Sequence, residues 1–524
     1  MLESEQSTLR NVASLLREFP DEKADFEAVI EGLNFIVINS SQDEHYRHSL
    51  AFSSLIWETI RDCTGHSGVC EFFNQMPELR FWYLRVLRGI ILLARNLCVD
   101  NHELPERLML REKFVKTFNS FSTEFQYDEV EVALFKTLLE FSCNVTTKSV
   151  TFDKSTIQDT TIFLCYPIDK INDENLFVSF ALLLRNLTTH DDFVYYFLKS
   201  DKAVRILHDF LLRDISQSNS QLTSIIENRA HEHVELSPLD NLVASVFLNV
   251  CCHESFAPFL IHVETSNPEM FLRFLNIAHL LTTSFESWNQ FQLTGIMTWC
   301  FRLLESLVEE IKSYFSEKGE DEAHAKLLHS RLLIVLDILT TLAQYEHVRK
   351  FILFYNGLEL LIELLHLFQE KLLRVNVQKL TKKAGISATN GRGEKIIDLT
   401  LISSRVDPDT GSIKATNFPE CKLLIIEILS FLIYNNKDVQ DKVRELQGLE
   451  AVLSNCVIDD NDPFIKERSI TCIKVLLQDN VKNQAIVAQL ESKTAVQDDS
   501  LSSAGYQIDV DDNGKIRLAH PQGS

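Results

Sequence analysis

Apolar residues recur along most of this chain three and four positions apart, the spacing that lines one face of an α-helix. The pattern is sharpest late in the chain. In residues 423–446, Leu424, Ile428, Phe431 and Leu432 share a helical face, Asn435 and Asn436 interrupt it, and Val439, Val443 and Leu446 begin a second stripe. That is one helix pair. Residues 454–469 open the next, with Asp462-Pro463 read as the cap and first residue of a helix. Upstream, the pattern predicts helices over 7–18, 21–40 and 48–62, then a break at 65–68.

The stripes repeat. Residues 87–97 and 177–187 both end in Arg-Asn-Leu before a polar turn; residues 134–145 put Asn144 at the same place, and residues 243–250 put Asn249 there. Later units align on Thr341, Phe431 and Val475. Successive anchors lie 48, 42, 63, 92, 90 and 44 residues apart, counted from Asn96 through Asn144, Asn186, Asn249, Thr341, Phe431 and Val475. Spacings of about 40–47 residues, or twice that, are those of armadillo and HEAT arrays. The gap of 63 holds an insertion at 214–240, and the gap of 92 holds a further unit around 295–311. The expected fold is therefore all-α, an armadillo/HEAT-like α-solenoid in which each repeat buries its face against its neighbours.

The expected divisions are an N-terminal helical region at 1–80, armadillo-like repeats at 81–370, a long polar insertion at 371–420, a C-terminal domain at 421–490, and a polar linker with a hairpin-like tail at 491–524. The insertion is read as flexible, because 380–394 carries three glycines and no periodicity. In the tail, Tyr506, Ile508 and Val510 alternate, Asn513-Gly514 is a turn signal, and Ile516 and Leu518 resume the alternation.

Residues 423–490 resemble the C-terminal domain of the ataxin-10 family. The resemblance rests on the word Asn-Lys-Asp-Val-Gln-Asp-Lys-Val-Arg-Glu at 436–445, on Asn455-Cys456, on Ile-Asp-Asp-Asn-Asp-Pro-Phe-Ile at 458–465, and on Asn483-Gln484. The tail is similar to the family's terminal segment, while the upstream chain matches only as a helical repeat pattern. Many members carry Gly-Asn where this chain has Ser430-Phe431, and Asn where it has Val475. The resemblance implies a non-enzymatic, cytoplasmic, protein-binding scaffold with a part in cytokinesis; its yeast members also raise an indirect part in copper homeostasis. The contact surface is expected on the polar face of the last two repeats, with Asn436, Lys437, Gln440, Asp441, Arg444 and Glu445 exposed beside Asp459, Asp460 and Asn461. The other reading of the last three is that they shape a turn and cap the following helix.

Composition narrows the classes further. The chain's 15 glycines and 11 prolines are few for 524 residues and leave little material for phosphate-binding loops. With 51 basic and 74 acidic residues the net charge is -23, which repels polyanions, so nucleic acid is not an expected partner. The acidic first ten residues do not read as a signal peptide, and no apolar run approaches the length of a membrane span, so the expected place is the cytoplasm without membrane insertion. The expected partners are other proteins, a second copy of the chain among them.

Candidate chemistry is thin. The 11 cysteines sit mostly inside apolar runs and read as buried free thiols. A direct copper role would need paired thiolates or clustered thioethers; the sequence has no Cys-x-x-Cys, and its five methionines are dispersed. Asp509, Asp511, Asn513, Gly514 and Ile516 imitate a calcium loop, but His520 stands where the closing glutamate belongs, and the hairpin reading is preferred. His231 and His233 lack the spacing of a zinc helix, since Glu235 stands where the second histidine should be. Lys379, Lys382, Lys383 and Arg392 form a modest basic cluster, read as a solvated loop, with an acidic partner or a nuclear address as the alternative. Asn144 and Asn186 match the glycosylation pattern but are expected to hydrogen-bond between stacked helices. No catalytic residue, cofactor or metal is expected; an enzyme assembled across distant repeats is the remaining class.

Overall fold

The computed structural model describes residues 2–66, 68–100, 104–121, 128–146, 151–166, 173–215, 236–317, 321–379, 384–489, 507–510 and 516–519. They are helical almost throughout, and the chain divides into two compact units, Met1–Trp299 and Cys300–Ser524.

In the first unit the helices Lys23–Gln42, Arg80–Leu97, Glu129–Val145, Glu174–Thr188 and Pro238–Cys251 each pack on the next. The four runs picked out by their Asn anchors are thus successive rungs of one ladder. A second layer runs through Leu104–Ser120, Lys154–Leu164, Asp191–Leu198 and Ala203–Ile215. Local sequence sets the helix starts: Asp128, Asp153 and Asp173 accept backbone N–H bonds from three residues on, at 2.9, 2.7 and 3.2 Å, and Ser237 with Asp240 forms a capping box ahead of Pro238. Between the layers lie stacked rings. Phe135 sits 4.2 Å from Tyr166 and 4.9 Å from Phe163, and Phe118 5.5 Å from Phe163, centroid to centroid; burying each such ring stabilises by about 2–3 kcal/mol.

The repeated asparagines tie rung to rung. Nδ2 of Asn96 donates to Val37 O at 3.2 Å and Ser40 Oγ at 3.1 Å, Nδ2 of Asn186 to Cys143 O at 3.4 Å, and Nδ2 of Asn249 to Thr188 Oγ1 at 3.3 Å. Each bond reaches the end of the preceding rung. In the Arg-Asn words the arginine holds the amide in place: Arg95 and Arg185 donate to Oδ1 of Asn96 and Asn186 at 3.3 and 3.1 Å. The expected boundary at 80/81 is not a boundary, because the Lys23–Gln42 helix is the first rung and Leu33 fills the space where a Gly89 side chain would stand, 2.6 Å from its Cβ. The array expected as one piece over 81–370 is itself divided at 299/300.

The second unit contains two three-helix repeats, Glu322–Leu342 with Glu346–Phe354 and Gly357–Lys371, then Cys421–Ile433 with Lys437–Glu445 and Gly448–Ser454. A third begins with Ile465–Leu477 and Val481–Gln489. The first helices of the three repeats form one ladder. Both complete repeats make the same sharp corner. Asn356 and Gln447 have φ of 59° and 58°, and the glycine after each has no room for a Cβ, which would stand 2.6 Å from Ile352 Cγ2 at Gly357 and 2.9 Å from Val443 Cγ1 at Gly448.

The expected flexible insertion is instead folded over 371–379 and 384–420. Strands Arg374–Lys379 and Ala384–Thr389 pair antiparallel, with Val375 opposite Ala388 and Val377 opposite Ile386. The helix Leu399–Arg405 and the turn Ala415–Asn417 follow. Leu373, Val375, Ala388 and Val406 form a small core, with Val377, Ile386, Ile396, Ile402 and Ile413 against it. These apolar residues alternate or stand singly, so no helical period announces them. The tail hairpin is found as expected, Gln507–Val510 pairing with Ile516–Ala519. The linker 491–506, the turn with Asp511, Asn513 and Gly514, His520, His231, His233, Glu235, Lys382 and Lys383 lie outside the described residues. Among the described residues no single helix is long and apolar enough to cross a membrane.

Candidate functional site

Residues 455–464 link the helices Gly448–Ser454 and Ile465–Leu477 and contain Asp459, Asp460 and Asn461. An acid-rich loop of this kind normally faces water. This one does not: Asp459, Asn461 and Asp462 are buried, and among them lies the equally buried Lys422. Lys422 Nζ is 2.7 Å from Asp459 Oδ2 and 3.1 Å from Asp462 Oδ2. Burial works against the charge on Lys422, but Asp462 and Asp459 more than offset it and hold its pKa above the usual lysine value. Burial likewise pushes the Asp462 carboxyl above the usual carboxylate range, against the pull of Lys422. Two carboxylates share one ammonium in a water-excluded place, an arrangement stable only if the remaining lone pairs are also satisfied.

They are satisfied by backbone. Asp459 Oδ1 accepts from Val375 N and Asn461 N, both at 3.0 Å, and Asp460 Oδ2 accepts from Val377 N at 2.7 Å, while Asp460 N donates to Val375 O at 2.8 Å. The loop thus supplies the free edge of strand Arg374–Lys379 with the bonds a third strand would make. Asn461 Oδ1 takes the Asn417 amide at 2.7 Å, and Asn417 in turn bonds Leu373 N and O at 3.0 and 2.9 Å. Asp462 Oδ1 accepts from Lys422 N at 3.0 Å and Leu423 N at 3.2 Å. It therefore caps the Cys421–Ile433 helix, not the following one. The expected cap at Asp462-Pro463 is corrected on this point: the next helix starts at Ile465, and Phe464 at φ 67° intervenes.

A second polar network joins the Lys437–Glu445 helix to the Val481–Gln489 helix. Gln440 Nε2 donates to Val475 O at 3.0 Å, and Asn480 Nδ2 donates to Gln440 Oε1 at 3.3 Å and Asp441 Oδ1 at 3.0 Å. Asn483 Nδ2 donates to Leu476 O at 2.8 Å, and Arg444 Nη1 bridges Asn483 Oδ1 at 2.8 Å and Asp441 Oδ1 at 2.5 Å. The Asn480 amide, then Arg444, hold the Asp441 carboxyl below its usual pKa.

Of the nine expected contact residues, then, Gln440, Asp459 and Asn461 are not exposed, a correction whose cause is the bonds just given. Asp441 and Arg444 are half-buried in the second network, and Asn436 caps its own helix by accepting from Val439 N at 3.3 Å. Lys437, Glu445 and Asp460 are exposed. Lys422, Asn417 and Asn480 join the site without a signature in the repeat pattern. One signal was available for the first: four consecutive residues Asp459-Asp460-Asn461-Asp462 call for a cation, and Lys422 is the one basic residue of the largely apolar helix Cys421–Ile433. All 11 cysteines are free thiols, and burial pushes those of Cys98, Cys143, Cys252 and Cys472 up to about 12.

The second network, and of the first Lys422 with the 459–462 loop, lie inside the stretch matched by a family model for the spinocerebellar ataxia type 10 protein domain, residues 421–519, while Leu373, Val375, Val377 and Asn417 precede it. Over nearly its whole length the chain is similar to curated fungal proteins. It is 40% identical to the ataxin-10 homolog of Candida glabrata, with 99% of each chain covered, and 36% identical to the ataxin-10 homolog of Saccharomyces cerevisiae, covering 97% of this chain and 94% of that one. With the ataxin-10 homolog of Dictyostelium discoideum the identity is 41% over 97 residues, 18% of this chain and 16% of that one.

Proposed function

This chain belongs to the ataxin-10 family, and on that premise we propose that it is a non-enzymatic, cytoplasmic protein-binding scaffold that contributes to cytokinesis. The binding part is carried by the loop 455–464. Its polar side chains are consumed in holding it, while Ile458 and Phe464 towards its two ends are 68% and 75% exposed. Phe464 also has positive φ, which a bulky side chain adopts only at a cost of about 1–3 kcal/mol. A solvent-facing, strained phenylalanine beside a loop fixed by buried charges is suited to a contact held ready, because little ordering entropy is left to lose when a partner covers it. The contact surface accordingly moves from the nine polar residues to Ile458 and Phe464, with Asp460 the exposed polar residue between them. The place in cell division rests on family membership alone.

The test uses Saccharomyces cerevisiae cells lacking their own homologue and supplied with the intact chain, Ile458→Asp or Phe464→Gly. Glycine relieves the left-handed backbone, so Phe464→Gly should fold at least as stably as the intact chain, by about 1 kcal/mol. The expected outcome is that the intact chain restores cell separation and co-purifies with division proteins, while both variants fold and do neither. Restoration by the variants would sink the proposed surface; failure of the intact chain would sink the division role.

A further inference from the structure

The Arg80–Leu97 helix carries a stripe unlike the rest of this acidic molecule. Phe81, Arg85, Arg88, Leu92 and Arg95 recur at alternating spacings of four and three, a stripe of exposed and half-buried positions bordering the buried Leu84 and Ile91. Phe81 is 46% exposed, and its ring meets Trp82 edge-on at 5.3 Å. Trp82 is flanked by two cations, Lys23 Nζ at 4.7 Å from its ring and Arg85 Cζ at 5.7 Å. Arg88 Nε donates to Thr137 Oγ1 at 3.3 Å. Burial lowers the pKa of Arg88, Glu140 opposes this, and Arg95 and Arg85 add to it, so the guanidinium groups feel one another.

The neighbouring rungs extend the stripe. The next two add Lys136 and Arg185, the latter exposed. Carboxylates answer only some of these cations. Glu140 pairs with Arg95, and Asp173 lies 3.1 Å from Lys136. Arg85 and Arg88 form no ion pair among the described residues. In a chain of net charge -23 this is a local concentration of cations, and although Arg88, Arg95 and Arg185 also make bonds that serve the fold, Arg85 makes none to a carboxylate among the described residues.

We infer that this face is a docking surface for an acidic segment of a partner protein, one that alternates carboxylates with apolar residues. The carboxylates meet Arg85, Arg88 and Arg185, and the apolar side chains meet Phe81 and Leu92. Interleaved apolar and cationic positions favour a peptide over a nucleic acid, whose phosphates would be repelled at long range by the net charge. These residues belong to the first compact unit, and the inference stands without the reading of the ataxin-10 module.

The test measures fluorescence anisotropy of a fluorescein-labelled peptide composed of Glu, Leu and Phe, titrated with the intact chain. The reference variants are Arg85→Glu with Arg88→Glu on the face, and Lys350→Glu with Lys474→Glu in the second unit, which carries the same change of net charge. Saturable binding is expected, weakened about tenfold or more by the face pair, left within about twofold by the other pair, and lost when Gln replaces Glu in the peptide. Circular dichroism should show equal helicity in all chains. The inference is overturned if the probe does not bind, if both variant pairs weaken it equally, if the face pair leaves it unchanged, or if a single-stranded oligouridine binds the intact chain more tightly than the peptide.

Discussion

The two compact units close their helix ladders with different chemistry. In the first, neutral amides are the recurring tie: Asn96, Asn186 and Asn249 each reach one rung back, and two of them are steadied by the arginine before them, with one buried ion pair, Arg80–Glu131, between the Arg80–Leu97 and Glu129–Val145 helices. In the second, the amides of Gln440 and Asn483 act alongside a buried ammonium and two buried carboxylates, and the groups these charges fasten come from four separate stretches of chain, around 375, 417, 422 and 460. A neutral hydrogen bond between rungs is worth about 1 kcal/mol and fails locally. A buried charge cluster contributes little net stability while complete and costs several kcal/mol once a member is removed. The amide ties tolerate piecemeal loss; the charge cluster around Lys422 holds together or comes apart.

The sharpest way to break this contrast is Lys422→Met. It leaves Asp459 and Asp462 buried without a cation and should cost about 3–5 kcal/mol in urea unfolding of the second unit. Asp462→Asn is the milder cut, because an amide oxygen can still cap the Cys421–Ile433 helix; a loss of about 1–3 kcal/mol is expected at pH 7. Its pH dependence has a definite sign. The folded pKa of Asp462 is raised, so the folded chain holds that proton more tightly than the unfolded chain does. The stability from that proton is complete below the unfolded carboxylate pKa and is lost as pH rises through the folded one. The intact chain should therefore gain on Asp462→Asn as pH falls through the folded pKa towards the unfolded carboxylate value, and a gap that moves the other way would reject the raised pKa. The smallest effect belongs to the first unit: Asn186→Ala should cost about 1 kcal/mol and raise amide exchange only near the ends of the Glu129–Val145 and Glu174–Thr188 helices.

The same contrast decides what the sequence discloses. The neutral ladder was legible, because Arg-Asn-Leu returns at a repeat spacing and a period is visible in one dimension. The hairpin Arg374–Lys379 with Ala384–Thr389 was not: half of what fixes it, Asp459 and Asp460, lies more than 80 residues further along, and its strands are short runs between glycines and lysines. Asp462-Pro463 misled for a related reason. Cap residues have a local signature, yet nothing local says which helix start they face, and this one faces a helix that begins 41 residues upstream, at Cys421. Gln440 and Asn461 read as exposed for being polar, although Val475 O and Asn417 in other repeats complete their bonds.

The central claim is that Lys422 fastens the insertion hairpin to the ataxin-10 module through the 459–462 loop. Hydrogen–deuterium exchange on the intact chain and on Lys422→Met tests it most directly, read at the amides of Val375, Val377, Lys422 and Leu423. All four should lose protection together in the variant, while the amides of the Glu129–Val145 and Glu174–Thr188 helices keep theirs. A hairpin that stays protected when Lys422 is gone would contradict the account.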